Sequence, residues 1–420
     1  MTRTFLSAFA ATTLVALPAF ALDKTDVLTN YANIAAAKYE DSLITAKALQ
    51  AEIDAFLAAP SAETLAAARN AWRVSRVPYM QSEVYRFGNP IVDDWEGRVN
   101  AWPLDEGLID YVDATYGGAS DENEFAALNV IANPTFSLSG QEIDATSITG
   151  SLLSDTLQEA DGVEANVATG YHAIEFLLWG QDLNGTDAGA GDRPWTDYAT
   201  GDGCTNGNCD RRADYLRTAA QLLVEELGYM TDQWTTNGDA RAAVLADPAA
   251  GVSMMLTGMG SLSYGELAGQ RMKLGVLLND PEEEHDCFSD NTHFSHYYDG
   301  VGIQNVYLGS YTRIDGSVVS GASLHDLVAQ TDAGIAGQLS TDIAASVADL
   351  NAIVDAAQNG MAYDMMLARD NAQGEALILG AVDALVVQTR SIERAVAALN
   401  LTSIDLEGSD SLDAPDAVFQ

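Results

Sequence analysis

The chain of 420 residues carries 61 acidic and 20 basic side chains, which gives a formal net charge of −41. This excess of acid argues against binding to nucleic acid, whose phosphates are neutralised by Lys and Arg, and against docking on an anionic membrane. Hydrophobic residues make up 47% of the chain, so it can bury large cores, and its length is enough for two domains.

Residues 1–21 have the features of a secretory signal peptide. Arg3 provides the positive start, the segment from Phe5 to Leu17 is apolar, and the Ala-Phe-Ala sequence at 19–21 provides the cleavage site. We therefore expect an exported protein, either periplasmic or at the cell surface. No later apolar run reaches the roughly 18 residues of a membrane helix, so the mature form is expected to have no integral membrane segment.

Apolar residues recur at three- and four-residue intervals along most of the chain, which predicts helices, whereas strand signals are sparse. The expected fold is all-α, with two helical-bundle halves and irregular connecting segments. The expected organisation is an N-terminal bundle at 22–180, a polar loop at 181–210, a C-terminal bundle at 211–403 and a frayed acidic tail at 404–420. The predicted helices span 23–58, 62–87, 121–132, 141–158, 163–180, 210–234, 248–278, 323–358, 361–369 and 371–399.

The predicted helix at 62–87 begins after Ser61, a residue type that caps helices. Arg76 and Glu83 lie at helical neighbour spacing from Tyr79 on this helix. An ion pair on a solvated face is one interpretation, but the surrounding aromatic residues favour partial burial. A weak similarity between this helix and the one at 258–274 is consistent with a duplicated bundle.

The segment from Gly170 to Gly180 is apolar on almost every side, and a helix of this kind is normally buried. His172 and Glu175 are three residues apart and share one face of it. A buried carboxylate is costly unless it is paired, hydrogen-bonded or bound to a metal. His-x-x-Glu on one helical face is used by carboxylate-rich metal sites in bundles. The alternative is a buried polar network with a structural purpose only.

The polar loop at 181–210 contains two cysteines, Cys204 and Cys209, which we expect to form a disulfide in an oxidising compartment. A zinc site is the poorer interpretation, since no histidine lies nearby in the sequence. Acidic and amide residues near Asp182 suggest calcium, but their spacing does not match an EF-hand loop.

The C-terminal half carries further candidate ligands. Glu266 and Arg271 lie on the predicted helix at 248–278. Residues 279–320 are expected to be irregular, and they include His285, His293 and His296. The acids at 282–286 could supply further oxygen ligands. These histidines could bind a metal or cover the site around His172, although loop histidines without a role are an equal alternative.

At these residues the chain resembles the imelysin family. Gly170, His172 and Glu175 match the family signature Gly-x-His-x-x-Glu, and the segments at 72–88, 102–105, 265–272 and 282–291 are similar to other parts of the family. The resemblance implies an all-helical protein of two bundle-like halves, with the motif helix near their interface. It also implies a link to iron limitation and uptake, and family members have been classed as metallopeptidases.

The peptidase interpretation meets a physical difficulty in this chain. An inverted zincin motif needs His-x-x-Glu-His, and position 176 is Phe, so the second histidine is missing from the helix. A zinc hydrolase would need ligands and a base from elsewhere, whereas an oxygen-rich iron site demands less because carboxylates are plentiful.

The sequence therefore favours an exported protein that binds iron, or a small iron-containing ligand, and that serves iron acquisition with an envelope iron-transport component. Zinc is the less favoured metal. The alternatives are a metallopeptidase and a non-catalytic surface module with a structural polar core. The expected metal ligands are His172, Glu175, Glu83 and Glu266. The residues expected to balance charge or contact the ligand are Arg76, Arg271, His285 and His293.

Overall fold

The structure is a computed structural model that describes residues 22–120, 123–402 and 404–419. It consists of helices, connecting loops and two short antiparallel hairpins, which confirms the predicted all-α class. The predicted signal peptide lies outside the described residues. The α-helices are α1 Lys24–Ala58, α2 Ala62–Met80, α3 Pro90–Glu96, α4 Glu106–Ile109, α5 Gly170–Trp179, α6 Cys209–Gln233, α7 Asp239–Leu245, α8 Pro248–Ser261, α9 Leu274–Leu278, α10 Thr292–Leu308, α11 Leu324–Thr331, α12 Ala333–Gln358, α13 Tyr363–Leu367, α14 Ala372–Ala398 and α15 Asp410–Asp413.

The other regular elements are short strands, 3₁₀ turns and π-helices. The strands are β1 Thr135–Leu138, β2 Gln141–Asp144, β3 Ser310–Thr312 and β4 Val318–Ser320. The 3₁₀ turns are Glu83–Tyr85, Ala160–Gly162, Trp195–Tyr198, Gly201–Gly203, Pro281–Glu283 and Pro415–Phe419. Two segments are π-helices, Leu152–Leu157 and Leu262–Lys273, and the second joins α8 to α9 in one continuous helix.

The predicted helix at 62–87 is confirmed at its start and wrong at its end. The Ser61 Oγ accepts the Thr64 N–H at 3.2 Å, as expected of a cap. The helix ends at Met80, and Glu83 lies in the separate 3₁₀ turn. Pro78 has no N–H to donate to the preceding turn, which weakens the last turn of the helix.

The helices predicted at 121–132 and 141–158 are wrong. Residues 123–132 form turns, and β1 and β2 form a hairpin across Ser139 and Gly140. Both turn residues have positive φ, 49° and 77°, which is the geometry that matches the twist of paired strands. Local turn chemistry therefore outweighs the apolar spacing, and only Leu152–Leu157 is helical.

Two other boundaries differ from the prediction. The central helix α5 begins at Gly170 rather than near 163, so Val163 and Val167 are not part of it. Residues 279–320, predicted to be irregular, contain the 17-residue helix α10. A Cβ at Gly302 of α10 would lie 2.6 Å from the Gln81 carbonyl oxygen. Close packing thus compensates for the low helix propensity of glycine.

The core has a large and a small part. In the larger one α1 packs on α2 and α6, and α5 packs on α2 and α6. In the smaller one α12, α13, α14 and the π-helix Leu262–Lys273 meet. Helix α10 packs against both α2 and α12, so it connects elements of the two predicted halves. The domain boundaries and the duplication stay predictions.

The acidic tail, predicted to be frayed, packs instead along the π-helix Leu262–Lys273 and the end of α8. The Glu407 N–H donates to Ser261 Oγ at 3.1 Å, and Ser411 Oγ donates to the Gly269 carbonyl at 2.8 Å. Ser409 and Ser411 are buried in this contact. The tail therefore covers the outer side of the helix that carries Glu266 and Arg271.

Across the described ranges, no individual helix has both the length and the apolar character needed to cross a membrane. Asp239–Leu245 and Pro248–Leu278 meet that test only when taken together, and they are bent by 113° relative to each other.

Candidate functional site

The motif helix α5 starts at a position where only glycine fits. Gly170 has φ of +82°, and a Cβ there would lie 2.4 Å from the Val99 carbonyl oxygen. That same oxygen accepts the Tyr171 N–H at 2.8 Å. The Trp72 Nε1–H donates to the Tyr171 carbonyl at 2.9 Å, which ties α5 to α2. Every residue of α5 is buried, as the sequence predicted.

His172 and Glu175 contact each other inside the protein. His172 Nδ1 lies 3.0 Å from Glu175 Oε2, and Glu175 Oε1 accepts the Ser289 N–H at 3.0 Å and the Ser289 Oγ–H at 2.7 Å. Burial raises the pKa of Glu175, and the Ser289 donors oppose this by stabilising the carboxylate. With the carboxylate as acceptor, His172 Nδ1 carries the proton and Nε2 keeps a lone pair. Among the described residues, Nε2 has no hydrogen-bond partner.

Two residues from the segment before α10 join His172. One donor atom from each of His172, His285 and Asp286 lies within 4.8 Å of the other two, and all three residues are buried. The His172 and His285 ring centroids are 4.7 Å apart. We call these three residues the histidine group.

Both imidazoles of the histidine group are neutral at ordinary pH. Burial lowers the pKa of His172 and of His285, and nearby arginines, Arg76 and Arg271, lower both further. Neutral imidazole is the form that binds metal ions. Asn100 Nδ2 lies 3.3 Å from His285 Nε2, within hydrogen-bonding distance.

Asp286 is the charged member of the histidine group. Burial alone would raise the pKa of Asp286, but Arg76, whose guanidinium lies 2.8 Å from Oδ1, brings it below its usual value. Asn291 Nδ2 donates to Oδ2 at 2.9 Å, and Ser295 Oγ donates to the same oxygen. A metal ion at Oδ1 would share that oxygen with Arg76.

The donor set of the histidine group suits a transition metal. Two imidazole nitrogens and one carboxylate oxygen are the ligands of non-haem ferrous sites, and a similar set occurs in catalytic zinc sites. The second imidazole, which the motif helix lacks at position 176, comes from His285 instead. The carboxylate Glu175 would orient His172, as acidic partners of metal-bound histidines do.

The predicted ligands Glu83 and Glu266 bind the guanidinium of Arg271 rather than the histidine group. Arg271 donates to Glu266 Oε1 at 2.8 Å, to Glu83 Oε2 at 2.9 Å and to Asp299 Oδ2 at 3.0 Å. We call these four residues the Arg271 group. Glu266 and Arg271 are five residues apart, and the wide winding of the π-helix brings them onto one side. Whether Glu83 or Glu266 also binds a metal stays a prediction.

A cavity of about 640 Å³ lies between the two groups and has both His285 and Arg271 in its wall. Trp102 and Asn100 also line it. The other charged residues in its wall are five glutamates and one more arginine: Glu96, Glu159, Glu164, Glu266, Glu283 and Arg86. Because carboxylates outnumber guanidiniums, the cavity attracts cations more than anions.

His293 and His296 lie one helical turn apart on α10. Burial lowers the pKa of His293 to about 4 and that of His296 to about 3. Within the described residues, His293 Nδ1 and both ring nitrogens of His296 lack partners. Of the histidines and acids that the sequence predicted in this segment, His285 and Asp286 join His172, whereas no sequence signal indicated Asn100.

The cysteines occupy two separate places. Cys204 and Cys209 are joined through their Sγ atoms at the start of α6. Cys287 is a free, buried thiol in the described part of the chain, and burial raises its pKa. A thiol in this form is a poor nucleophile.

The fold and this site define an all-helical protein with a buried group of imidazoles and carboxylates beside an acidic cavity. Residues 35–392 match the sequence model of the imelysin family, so the chain belongs to that family. A 57-residue stretch is 37% identical to iron-regulated protein A of Synechococcus elongatus, and this match covers 14% of the chain and 16% of that relative.

A solved structure is also similar to this chain. It is a crystal structure, provisionally described as an iron-regulated protein A precursor, from Parabacteroides distasonis. The TM-score is 0.64, the sequence identity is 18%, and the match covers 90% of this chain and 95% of the other. At this identity the likeness concerns the fold alone.

Proposed function

We propose that this protein is an exported iron-binding protein that serves iron acquisition, and that the histidine group holds the iron. The observation that carries the proposal is the convergence of His172, His285 and Asp286, with donor atoms within 4.8 Å of one another and His172 Nε2 unpartnered in the described structure. The names of the related proteins link them to iron regulation, and one is described as a precursor.

A small cation fits the site better than a large anionic ligand. His172 and Asp286 are fully buried, and His285 is only 3% exposed at the cavity wall. Both arginines that could hold an anion, Arg76 and Arg271, are already bound to carboxylates. We therefore favour free ferrous iron over an iron-containing chelate, with an envelope transport component as the partner that receives it.

The test is an anaerobic calorimetric titration of Fe²⁺ into the chelator-treated mature chain. The parent is expected to bind one equivalent, and His285→Gln is expected to bind at least about 100-fold more weakly because it loses a direct ligand. His325→Gln, at a partly exposed position on α11, is the matched control and should bind as the parent does. Equal binding by the parent and His285→Gln would contradict the proposal.

Three further variants separate ligands from orienting residues. Glu175→Gln is expected to lose about 10- to 100-fold in affinity if Glu175 only orients His172, and as much as His285→Gln if it is a ligand. Glu83→Gln and Glu266→Gln are expected to change the affinity little, because Arg271 holds both carboxylates. A loss as large as that of His285→Gln in either variant would restore the ligand set predicted from the sequence.

A metallopeptidase is the second candidate, because His285 supplies the second imidazole that position 176 lacks. Against it, Glu175 already accepts three hydrogen bonds, so it is poorly placed as a base for a metal-bound water. Zn²⁺ generally binds such a donor set more tightly than Fe²⁺. Chelator-sensitive peptide cleavage by the zinc-loaded chain, abolished in His285→Gln, would favour this function over iron binding.

A non-catalytic surface module remains the outcome if neither metal binds. In that case neither Fe²⁺ nor Zn²⁺ would bind the chelator-treated parent, and neither metal would change its unfolding temperature.

A further inference from the structure

A second group of acidic side chains lies apart from the histidine group. Asp182, Asp290 and Asp364 each place one carboxylate oxygen within 4.8 Å of the other two. Asp182 follows α5, Asp290 precedes α10 and Asp364 is in the first turn of α13, so three distant parts of the chain meet here. We call these three residues the aspartate group.

The oxygens of the aspartate group are largely unpartnered. Asp364 is 1% exposed, yet neither of its carboxylate oxygens has a hydrogen-bond partner among the residues that the structure describes. Asp290 Oδ1 is also buried without a partner there. Asp182 differs, since its Oδ1 accepts from the N–H and Nδ2 of Asn184 at 2.9 and 2.7 Å. Buried carboxylates of this kind are costly unless they are paired or bind a metal.

The local charges oppose this arrangement in the absence of a cation. Burial raises the pKa of Asp364 to about 7 and that of Asp290 to about 6. Repulsion from Asp182 adds to both effects, and repulsion from Asp290 adds to the effect on Asp364. Arg73 is the cation that acts on Asp290, and its NH2 group is bonded to the Ser289 carbonyl at 3.1 Å. One guanidinium does not balance three carboxylates.

We propose that Asp182, Asp290 and Asp364 bind one Ca²⁺ ion. The group offers oxygen ligands only, and hard cations prefer these, whereas iron and zinc favour the nitrogen-containing histidine group. Ca²⁺ accepts several carboxylates in an irregular shell, but Mg²⁺ demands near-octahedral geometry and uses one or two. Asp182 and Asp290 are half-buried, so solvent can complete the shell on their side.

The ion would stabilise the segment that carries the histidine group. Asp290 lies between Ser289, which donates to Glu175, and Asn291, which donates to Asp286. The loop that contains Asp182 is tied to the same segment, because the Gly191 N–H donates to the Phe288 carbonyl at 2.9 Å. Calcium would therefore join this loop, the segment before α10, and α13.

The test compares the full chelator-treated chain with and without about 1 mM Ca²⁺, by thermal unfolding and calorimetry. Ca²⁺ is expected to raise the unfolding temperature of the parent and to bind with one-to-one stoichiometry. Asp364→Asn is expected to unfold at the parent's temperature or higher without Ca²⁺, because repulsion is removed, and to lose about tenfold or more in Ca²⁺ affinity. No calcium-dependent shift in the parent would overturn the proposal.

Matched controls keep the result specific. Asp187→Asn, exposed in the loop of Asp182, and Asp370→Asn, exposed just after α13, should both bind Ca²⁺ as the parent does. The chelator-treated parent should bind Ca²⁺ whether or not it binds Fe²⁺, so failure of the iron proposal leaves this one standing. Unchanged Ca²⁺ binding in Asp364→Asn, or a larger response to Mg²⁺ than to Ca²⁺, would each overturn it.

Discussion

The histidine group and the Arg271 group are both buried and polar, but they differ in the charges that face each other and in the kind of atom left without a partner. In the Arg271 group the guanidinium contacts Glu83, Glu266 and Asp299, and among its described carboxylate oxygens only Asp299 Oδ1 is buried without a partner. In the histidine group His172 Nε2 is buried and lacks a partner in the described chain. Carboxylates that share one guanidinium stabilise a single arrangement of side chains, whereas a neutral imidazole nitrogen with a free lone pair can bind a metal ion. The Arg271 group therefore stabilises the fold, and the histidine group is the one proposed to bind metal.

The largest expected effect comes from removing the two central arginines. Arg271→Ala leaves Glu83 and Asp299 buried without their cation, and Arg76→Ala does the same to Asp286. Each change is expected to lower the free energy of unfolding by about 3–5 kcal/mol, measured by urea denaturation. Added Fe²⁺ should restore part of this loss in Arg76→Ala and none in Arg271→Ala.

The control for both is Arg217→Ala. Arg217 is exposed and pairs with Asp214 at 2.9 Å, so its removal should cost less than about 1 kcal/mol. If metal restored Arg271→Ala as well as Arg76→Ala, the contrast between the two groups would be wrong.

The next effect concerns the start of α5. Gly170→Ala combines a left-handed φ with a Cβ that would overlap the Val99 carbonyl, so we expect a loss of at least about 3 kcal/mol in the free energy of unfolding. Gly162→Ala has a similar φ of +75° but nothing within 4 Å, and it should cost only about 1–2 kcal/mol. Equal losses would show that the contact with Val99 does not matter.

The pH dependence of stability should differ in sign between the regions. Burial lowers the pKa of His296, near the histidine group, to about 3. Below the ordinary value of about 6.5 the unfolded chain binds a proton that the native state does not, so stability falls as pH falls. His296→Phe keeps an aromatic ring and removes the proton, and the acid slope should become less steep by about 1.4 kcal/mol per pH unit. Urea denaturation between about pH 4 and 6 measures it, and an unchanged slope would contradict this pKa.

The smallest effect has the opposite sign and lies beside the Arg271 group. Burial raises the pKa of Glu96 to about 7, so between about pH 4.5 and 7 the native state holds a proton that the unfolded chain has lost. This contribution to stability is present at low pH and disappears as pH rises. Glu96→Gln should flatten the decline toward neutral pH in the same denaturation series. Asp94→Asn, exposed on the same short helix, should leave it unchanged.

Several elements of the fold were predictable because their signals are local. The spacing of apolar residues predicted α1, α2 and α14, and the Ser61 cap predicted where α2 begins. The single helix predicted at 323–358 is divided at Asp332 into α11 and α12, because the Asp332 side chain caps the start of α12. The β1–β2 hairpin was missed because its signal, a Ser-Gly turn with positive φ, is shorter than a helical repeat. Helix α10 was missed because its glycines lower helix propensity, and the packing that compensates is tertiary.

The sequence by itself determined that the chain is all-α and that His172 and Glu175 are buried together, because apolar residues surround them on every side of one short helix. Only the tertiary structure decided their partners. Packing of α10 and the segment before it against α2 brings His285 and Asp286 to His172. The π-helix directs Glu266 to Arg271, and Glu83 reaches the same guanidinium from the 3₁₀ turn Glu83–Tyr85. Contacts between side chains more than a hundred residues apart depend on helix packing geometry, and no local pattern encodes that geometry.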